Sequence, residues 1–293
     1  MPDPATHRAS LTVSIVLFHS SPQLLQATLE SLDRAVSHAL ASGWLAACSL
    51  CVVDHSASAA YRRTVETLLD SYLGPGSIDF AYSDVGENSG YGHGHNRAGA
   101  NPKGLRLVLN PDVELAEDAL SVGLAYLAAN PDVALISPHA VADDGSQEFL
   151  CKRYPSVDVL LLRAFAPASL QARYQAALAH YEARDLCSGD QPTPVTLASG
   201  CFMLMRGASY TEVGGFDERY FLYFEDFDLS LRLAASGALH YLPTMGIVHH
   251  GGYAARKGWR HIVMFLRSGI RFFSDHGWRW RQGSVASTDA PQT

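Results

Sequence analysis

The feature that most constrains this chain is a repeated alternation in its first 140 residues. Short, continuously apolar runs rich in β-branched residues are followed each time by a segment with helical spacing. Thr12 to Phe18 (TVSIVLF), Leu50 to Asp54, Ile78 to Tyr82, Gly104 to Asn110 (GLRLVLN) and Asp132 to Ser137 (DVALIS) read as strands. A run that is apolar at every position suits a strand covered on both faces. Between them lie helical segments: one through Leu24, Leu25, Thr28, Leu29 and Leu32, opened by Ser21-Pro22, a second from about Ser58 to Tyr72, and a third through Leu115, Ala119, Leu120, Leu124 and Leu127. Strand and helix in alternation predict right-handed crossovers around a mostly parallel sheet, in which ligands bind at the carboxyl ends of the strands.

Beyond that half the pattern is less regular. Cys151 to Pro194 reads as two helical pieces, Val157 to Phe165 and Ser169 to Leu186. A strand from Thr196 to Met205, an aromatic and acidic segment from Phe216 to Leu231, a strand near Leu239 to Leu242 and a last amphipathic helix follow. The expected organisation is one domain over residues 1–283, with a nucleotide-binding half at about 11–140, an acceptor half at about 141–283, and a disordered tail at 284–293.

Among the 293 residues, 47% are hydrophobic and 17% charged, enough apolar material for a large core. No apolar run reaches the length of a membrane-spanning helix. The opening residues lack the layout of a secretory leader, so a cytoplasmic protein is expected. A net charge of -7 argues against nucleic acid as a partner. That average hides an asymmetry: Tyr253 to Gln282 carries seven basic residues against Asp275, or +6, leaving -13 elsewhere. Five cysteines are expected to be reduced packing thiols, including the Cys48/Cys51 pair inside a strand.

Polar residues gather at the predicted strand ends. Asp54-His55-Ser56 follows the second strand and Asn110-Pro111-Asp112 the fourth. Asp112 suits a hard divalent cation, which takes one or two protein carboxylates when phosphates supply its other ligands. A turn at a helix entry explains the same triplet. The loop GENSGYGHGHNRA, Gly86 to Ala98, is either a cradle for a diphosphate or a tight strand-to-helix connection. In GGFDERYFLYFEDFDLSLRL, Glu225, Asp226 and Asp228 sit among six aromatic residues, a setting that raises a carboxyl toward the range of a general base. Asp228 and Arg232, four apart on a helix, are expected to pair, which leaves Asp226 as the candidate base. Of His249 and His250, adjacent at a strand end, only one can face a given ligand. His93 and His95 read as loop residues.

These pieces, with VSIVLFHSS, VVDHSAS, LVLNPDV, ASGCFMLMRG and HHGG in the same order, resemble family 2 glycosyltransferases, most closely the bacterial rhamnosyltransferase-like branch. The resemblance covers roughly Val13 to Gly277. It implies an α/β fold of the GT-A type, a mostly parallel central sheet flanked by helices, and an inverting transfer dependent on Mg2+ or Mn2+. The implied donor is a nucleotide sugar, dTDP-L-rhamnose in this branch, and the acceptor a glycan or a polyprenyl-diphosphate-linked sugar of the cell surface. Carried over by residue, Phe18, Asp54, Ser56, Asn88, Gly90, Asn110 and Asp112 match the nucleotide-sugar site. Asp112 and His249 match metal ligands. Asp226 matches the catalytic base, with Glu225 beside it. His55 departs from the usual Asn or Asp, and the acid common shortly after Ser56 is missing. A different donor such as UDP-galactofuranose, a sugar-1-phosphate nucleotidyltransferase and a catalytically silent sugar-nucleotide binder are the competing readings. The last helix, with Ile262, Phe265, Leu266, Ile270 and Phe273 flanked by Lys257, Arg260, Arg267 and Arg271, fits either a core-packing helix or contact with an anionic membrane surface.

Overall fold

The structure, a computed structural model, describes residues 7–73, 76–99, 101–251 and 259–281. The expected tail, Gly252 of the HHGG motif, Arg256 and Lys257 lie outside the described residues.

The first strand, β1 (Ala9–Leu17), is flanked by β2 (Leu45–Asp54) and β4 (Leu105–Leu109), with β3 (Ile78–Asp84) outside β2, all parallel. Its central place explains why Leu11, Val13, Ile15 and Leu17 are all buried. The connecting helices are α1 (Pro22–Ala41), α2 (Ala59–Tyr72) and the short α3 (Tyr91–Asn96). Ser21 caps α1 by accepting the Leu24 amide, with Pro22 in the first turn, as its sequence predicts; such a cap contributes about 1 kcal/mol. Leu25, Leu29, Leu32 and Val36 recur at helical spacing on the buried face of α1, and each is worth about 1.5–3 kcal/mol removed from water.

The chain then forms β5 (Val113–Leu115), α4 (Ala119–Ala129) and β6 (Val133–Val141). Leu115, expected in the helix, belongs to β5, where it pairs with Ile247. Two short strands, β7 (Gln147–Glu148) and β8 (Cys151–Lys152), precede three helices, α5 (Val157–Phe165), α6 (Ala168–Arg173) and α7 (Gln175–Tyr181), where the sequence suggested two. After β9 (Thr193–Pro194) the expected strand 196–205 is split into β10 (Leu197–Ala198) and β11 (Phe202–Arg206). The break falls at Ser199, Gly200 and Cys201. Next come α8 (Gly207–Glu212), α9 (Glu225–Leu233), β12 (Ala238–His249) and α10 (Trp259–His276).

The main sheet runs β3-β2-β1-β4-β11-β6-β12-β5. It is mostly parallel, with β11 inserted antiparallel between β4 and β6. β11 thereby joins the first half to the second, with its first residue, Phe202, beside Leu109 at the carboxyl end of β4. All five cysteines are free. Among the described residues no helix is long and apolar enough to cross a membrane.

Candidate active site

The segment before α9 determines where its acids point. Tyr223 and Phe224 both have positive φ, 71° and 67°, a conformation that bulky residues adopt at a cost of about 1–3 kcal/mol each and only where neighbours enforce it. The neighbours are aromatic. Tyr223 and Phe224 pack on Phe265 of α10 at 5.6 and 5.1 Å between ring centres, Phe224 also meets Phe272 at 5.3 Å, and the Tyr223 hydroxyl lies 2.9 Å from His261 Nδ1. This clasp turns the chain so that Glu225 and Asp226 open the helix toward a cavity of about 920 Å3. Three of the motif's six aromatics, Tyr223, Phe224 and Phe227, therefore anchor the acids to the last helix.

Asp226 faces that cavity. Its Oδ2 accepts the Gly200 amide and its Oδ1 the Phe227 amide, both at 2.9 Å. The split of the predicted strand at Gly200 is what frees that amide. Desolvation pushes the Asp226 carboxyl up, and these backbone donors pull against it without reversing the shift. Each oxygen keeps a further lone pair for a substrate proton. Asp228 is occupied elsewhere, pairing with Arg232 at 2.6 Å and with His276 at 2.8 Å, the first of these as the four-residue spacing predicts.

His249 lines the same cavity, and β12 places it against β5, next to Asp112. Its Nδ1 lies 2.6 Å from Glu148 Oε2 and its Nε2 lies 3.8 Å from Asp112 Oδ1. A carboxylate only accepts, so Nδ1 donates to Glu148, which leaves Nε2 as the ring atom turned toward Asp112. Asp112 Oδ1 is buried and has no hydrogen-bond partner. Nε2 and Asp112 Oδ1 thus face each other across a gap that two ligands of one cation, each at roughly 2.1 Å, can span. Among the described residues no three or more His, Cys, Asp or Glu side chains form a complete metal cage. The pair fits a divalent ion that draws its other ligands from phosphate and water. His250 points the other way, to Glu114 at 2.8 Å and to Asp143, as alternation along a strand requires.

Tyr91, which sequence reasoning missed, ties the two acid sites together. Its hydroxyl lies 3.0 Å from Asn110 Oδ1 and donates to the Gly200 carbonyl at 2.6 Å. An aromatic flanked by glycines gives no polar signal to find it by. The glycine loop itself is filled by protein. Gly90, at φ 102°, has no room for a Cβ, which would fall 2.7 Å from the Phe221 carbonyl, and Cβ atoms at Gly92 and Gly94 would strike Phe216 and Val16. Asn88 accepts the Gly90 amide. His95, expected in a loop, is buried in α3 and bonded to Ser14.

Asp54 stands apart, at the end of β2. It is buried, with Tyr82 donating to Oδ2 at 2.6 Å and the Ser56 amide to Oδ1 at 2.8 Å. Ser56 in turn accepts the His19 amide, and Phe18 beside it is exposed. Asp54, Ser56 and Phe18 form one cluster at the ends of β1 and β2. His249, Glu225 and Asp226 line the cavity, and Asp112 and Asn110 adjoin it through His249 and Tyr91.

The same fold recurs in solved structures. A mannosyltransferase from Pyrobaculum calidifontis in complex with GDP-Man and Mn2+ superposes with a TM-score of 0.59 at 16% identity, covering 92% of this chain and 66% of that one. GalNAc-T7 with UDP, GalNAc and Mn2+ gives 0.59 at 12% identity, covering 91% and 48%. TarS of S. aureus, residues 1–349, gives 0.52 at 13% identity, covering 91% and 73%. The fold is therefore the GT-A type of these glycosyltransferases. In sequence the chain is similar to the N-acetylglucosaminyl-diphospho-decaprenol L-rhamnosyltransferase of Mycobacterium tuberculosis, 31% identical over 179 residues, which are 60% of this chain and 57% of that protein. It is also similar to rhamnosyltransferase WbbL of Escherichia coli, 37% identical over 84 residues, 28% of this chain and 32% of that one. The matches thus span little more than half of the first relative and a third of the second. No family model matches the chain.

Proposed function

We propose that the protein is an inverting glycosyltransferase that moves L-rhamnose from dTDP-L-rhamnose to a lipid-linked or polysaccharide acceptor in bacterial cell-surface glycan assembly of the O-antigen type. The observation that carries this reading is one cavity lined both by a carboxylate whose affinity for protons is raised, Asp226, and by His249, whose Nε2 faces Asp112 Oδ1 at 3.8 Å just beyond it. Similarity to two rhamnosyltransferases favours rhamnose as the sugar.

In this reading Phe18, Asp54, Ser56, Asn88, Gly90 and Asn110 hold the nucleotide sugar, and Asp112 and His249 hold Mg2+ or Mn2+. When bound, that cation neutralises charge on the diphosphate leaving group. Asp226 takes the proton of the acceptor hydroxyl as its oxygen forms a bond to C1 of the sugar; the bond from C1 to the diphosphate oxygen breaks, and the nucleoside diphosphate leaves from the opposite face. Glu225 contacts the acceptor beside that base. The Gly200 and Phe227 amides hold the Asp226 carboxylate in place for the transfer. The enzyme works on the cytoplasmic face of the membrane, held there peripherally by α10.

A thermal-shift series with dTDP, dTDP-L-rhamnose, UDP and UDP-galactofuranose, each with and without Mn2+, tests the reading, because a ligand of the folded state raises the melting temperature. A manganese-dependent shift with the dTDP ligands is expected. A shift confined to UDP ligands contradicts the rhamnosyl assignment.

A further inference from the structure

The lining of the cavity also carries charge that the transfer step does not use. Asp226, Glu225 and Glu148 supply the acidic side, with His249. Lys152 of β8, Arg163 of α5 and Arg184 supply the other. Glu182 pairs with two of these cations, meeting Arg184 at 2.6 Å and Arg163 at 4.0 Å, while Lys152 makes no ion pair within 4 Å among the described residues and is felt by Asp226 across the cavity. Lys152, Arg163, Arg184 and Glu182 together form a local group of three cations and one carboxylate, positive beside an otherwise acidic lining. Lys152 is buried and donates to the Phe149 carbonyl, and burial, with Arg163 second, lowers its ammonium to about 8. A buried cation of this kind gains from an anionic partner.

The rim beyond this group is apolar and open. Of the thirteen exposed large hydrophobic residues among those described, eleven lie between 161 and 174 or between 259 and 280. Phe165 of α5 and Ile262 of α10 are exposed and also line the cavity, so the apolar surface is continuous with it. Arg260, Arg267 and Arg271 share α10 with Ile262, Val263, Leu266 and Ile270. An anionic head followed by a hydrocarbon chain matches this order of surfaces in charge and in polarity.

Resting on the glycosyltransferase reading above, we propose that Lys152, Arg163 and Arg184 form the seat of the acceptor's diphosphate, and that the acceptor's polyprenyl chain leaves the cavity between the exposed apolar faces of α5 and α10. The acceptor sugar then lies between the two sides. Its attacked hydroxyl meets Asp226 while its anomeric carbon carries the diphosphate toward the arginines. A cavity of about 920 Å3 has room for a sugar and a diphosphate together.

Binding of farnesyl diphosphate, measured by titration calorimetry on the full chain beside farnesol and inorganic pyrophosphate, tests the assignment without depending on the sugar. Farnesyl diphosphate is expected to bind at least tenfold more tightly than either. Arg163→Gln, at a side chain half exposed and with Glu182 still paired to Arg184, is expected to weaken farnesyl diphosphate about tenfold and to leave farnesol and manganese-dependent dTDP binding unchanged. Arg184→Gln is the second variant, with the same expectation and circular dichroism as its check on folding. Equal affinity for farnesol, equal affinity for pyrophosphate, or no loss in Arg163→Gln would each overturn the proposal. Absent binding of both dTDP and UDP in the unaltered protein would instead remove the glycosyltransferase reading, and does not mimic any of those results.

Discussion

Residues 7–141 and residues 142–281 are built differently. In the first region parallel strands are covered on both faces, and Phe18 is the only exposed large hydrophobic residue among those described. In the second, short helices leave Leu161, Phe165, Trp259, Ile270 and others open to solvent, while Lys152, Glu225 and Asp228 are buried. A region folded only for its own stability puts apolar groups inside and charges outside. Both regions bury charge, the first at Asp54 and Arg106, but only the second also leaves many large apolar groups outside, around the cavity that carries Asp226. The contrast teaches that the first region is a closed scaffold, whereas the second leaves apolar residues such as Phe165 and Ile262 exposed at the rim of the cavity.

The sharpest break of this comparison is at the buried charges. Asp228→Asn removes the charge that holds Arg232 and His276, and is expected to destabilise the protein by about 3 kcal/mol, the lower end for a broken buried pair because Arg232 is partly exposed. Urea unfolding checks it; a loss under about 1 kcal/mol would mean that this charge is not structural. Glu148→Gln is expected to lower Mn2+ affinity about 10–100-fold by loosening His249, read directly by manganese titration in an electron paramagnetic resonance tube. An unchanged affinity would separate His249 from the metal. On the open face, Leu266→Ser is expected to reduce binding to anionic lipid vesicles about tenfold while altering stability by less than about 0.5 kcal/mol. The reverse outcome, intact vesicle binding with lost stability, would make α10 a packing helix.

The smallest effect concerns pH. Asp226 must be ionised to accept a proton, and desolvation raises its pKa in the folded protein. The activity therefore rises with pH through a value above the ordinary carboxylate range near ~4, and falls below it. A kcat/KM profile whose acid limb sits at or under that range would assign the base elsewhere.

What the sequence revealed follows the same division. Ser21 and Pro22 opening α1, the continuous apolar runs of β1 and β4, and the Asp228–Arg232 pair all depend on neighbours a few residues apart, so they were legible. The errors concern contacts made across the chain. Leu115 has helical spacing but pairs with Ile247 in β5, and β12 runs on to His249 past the irregularity between Leu242 and Gly246 because β6 accompanies it. The strand expected from Thr196 to Met205 is broken at Gly200, whose amide is taken by an acid 26 residues later. Of the candidate site, the acids were visible as residue types in aromatic or strand-end settings. Tyr91, Glu148 and Lys152 were not, since each acts only through partners that folding brings to it.

The central claim is that Asp112 and Asp226 serve one reaction from two sides of one site, one for the diphosphate and one for the acceptor proton. Calorimetric binding of dTDP with Mn2+, paired with transfer rates, for Asp112→Asn and Asp226→Asn tests it most directly. The account predicts that Asp112→Asn loses the manganese-dependent part of binding, and that Asp226→Asn binds normally while transfer falls by about 10³-fold. Full transfer in Asp226→Asn, or manganese-dependent binding that survives in Asp112→Asn, would contradict it.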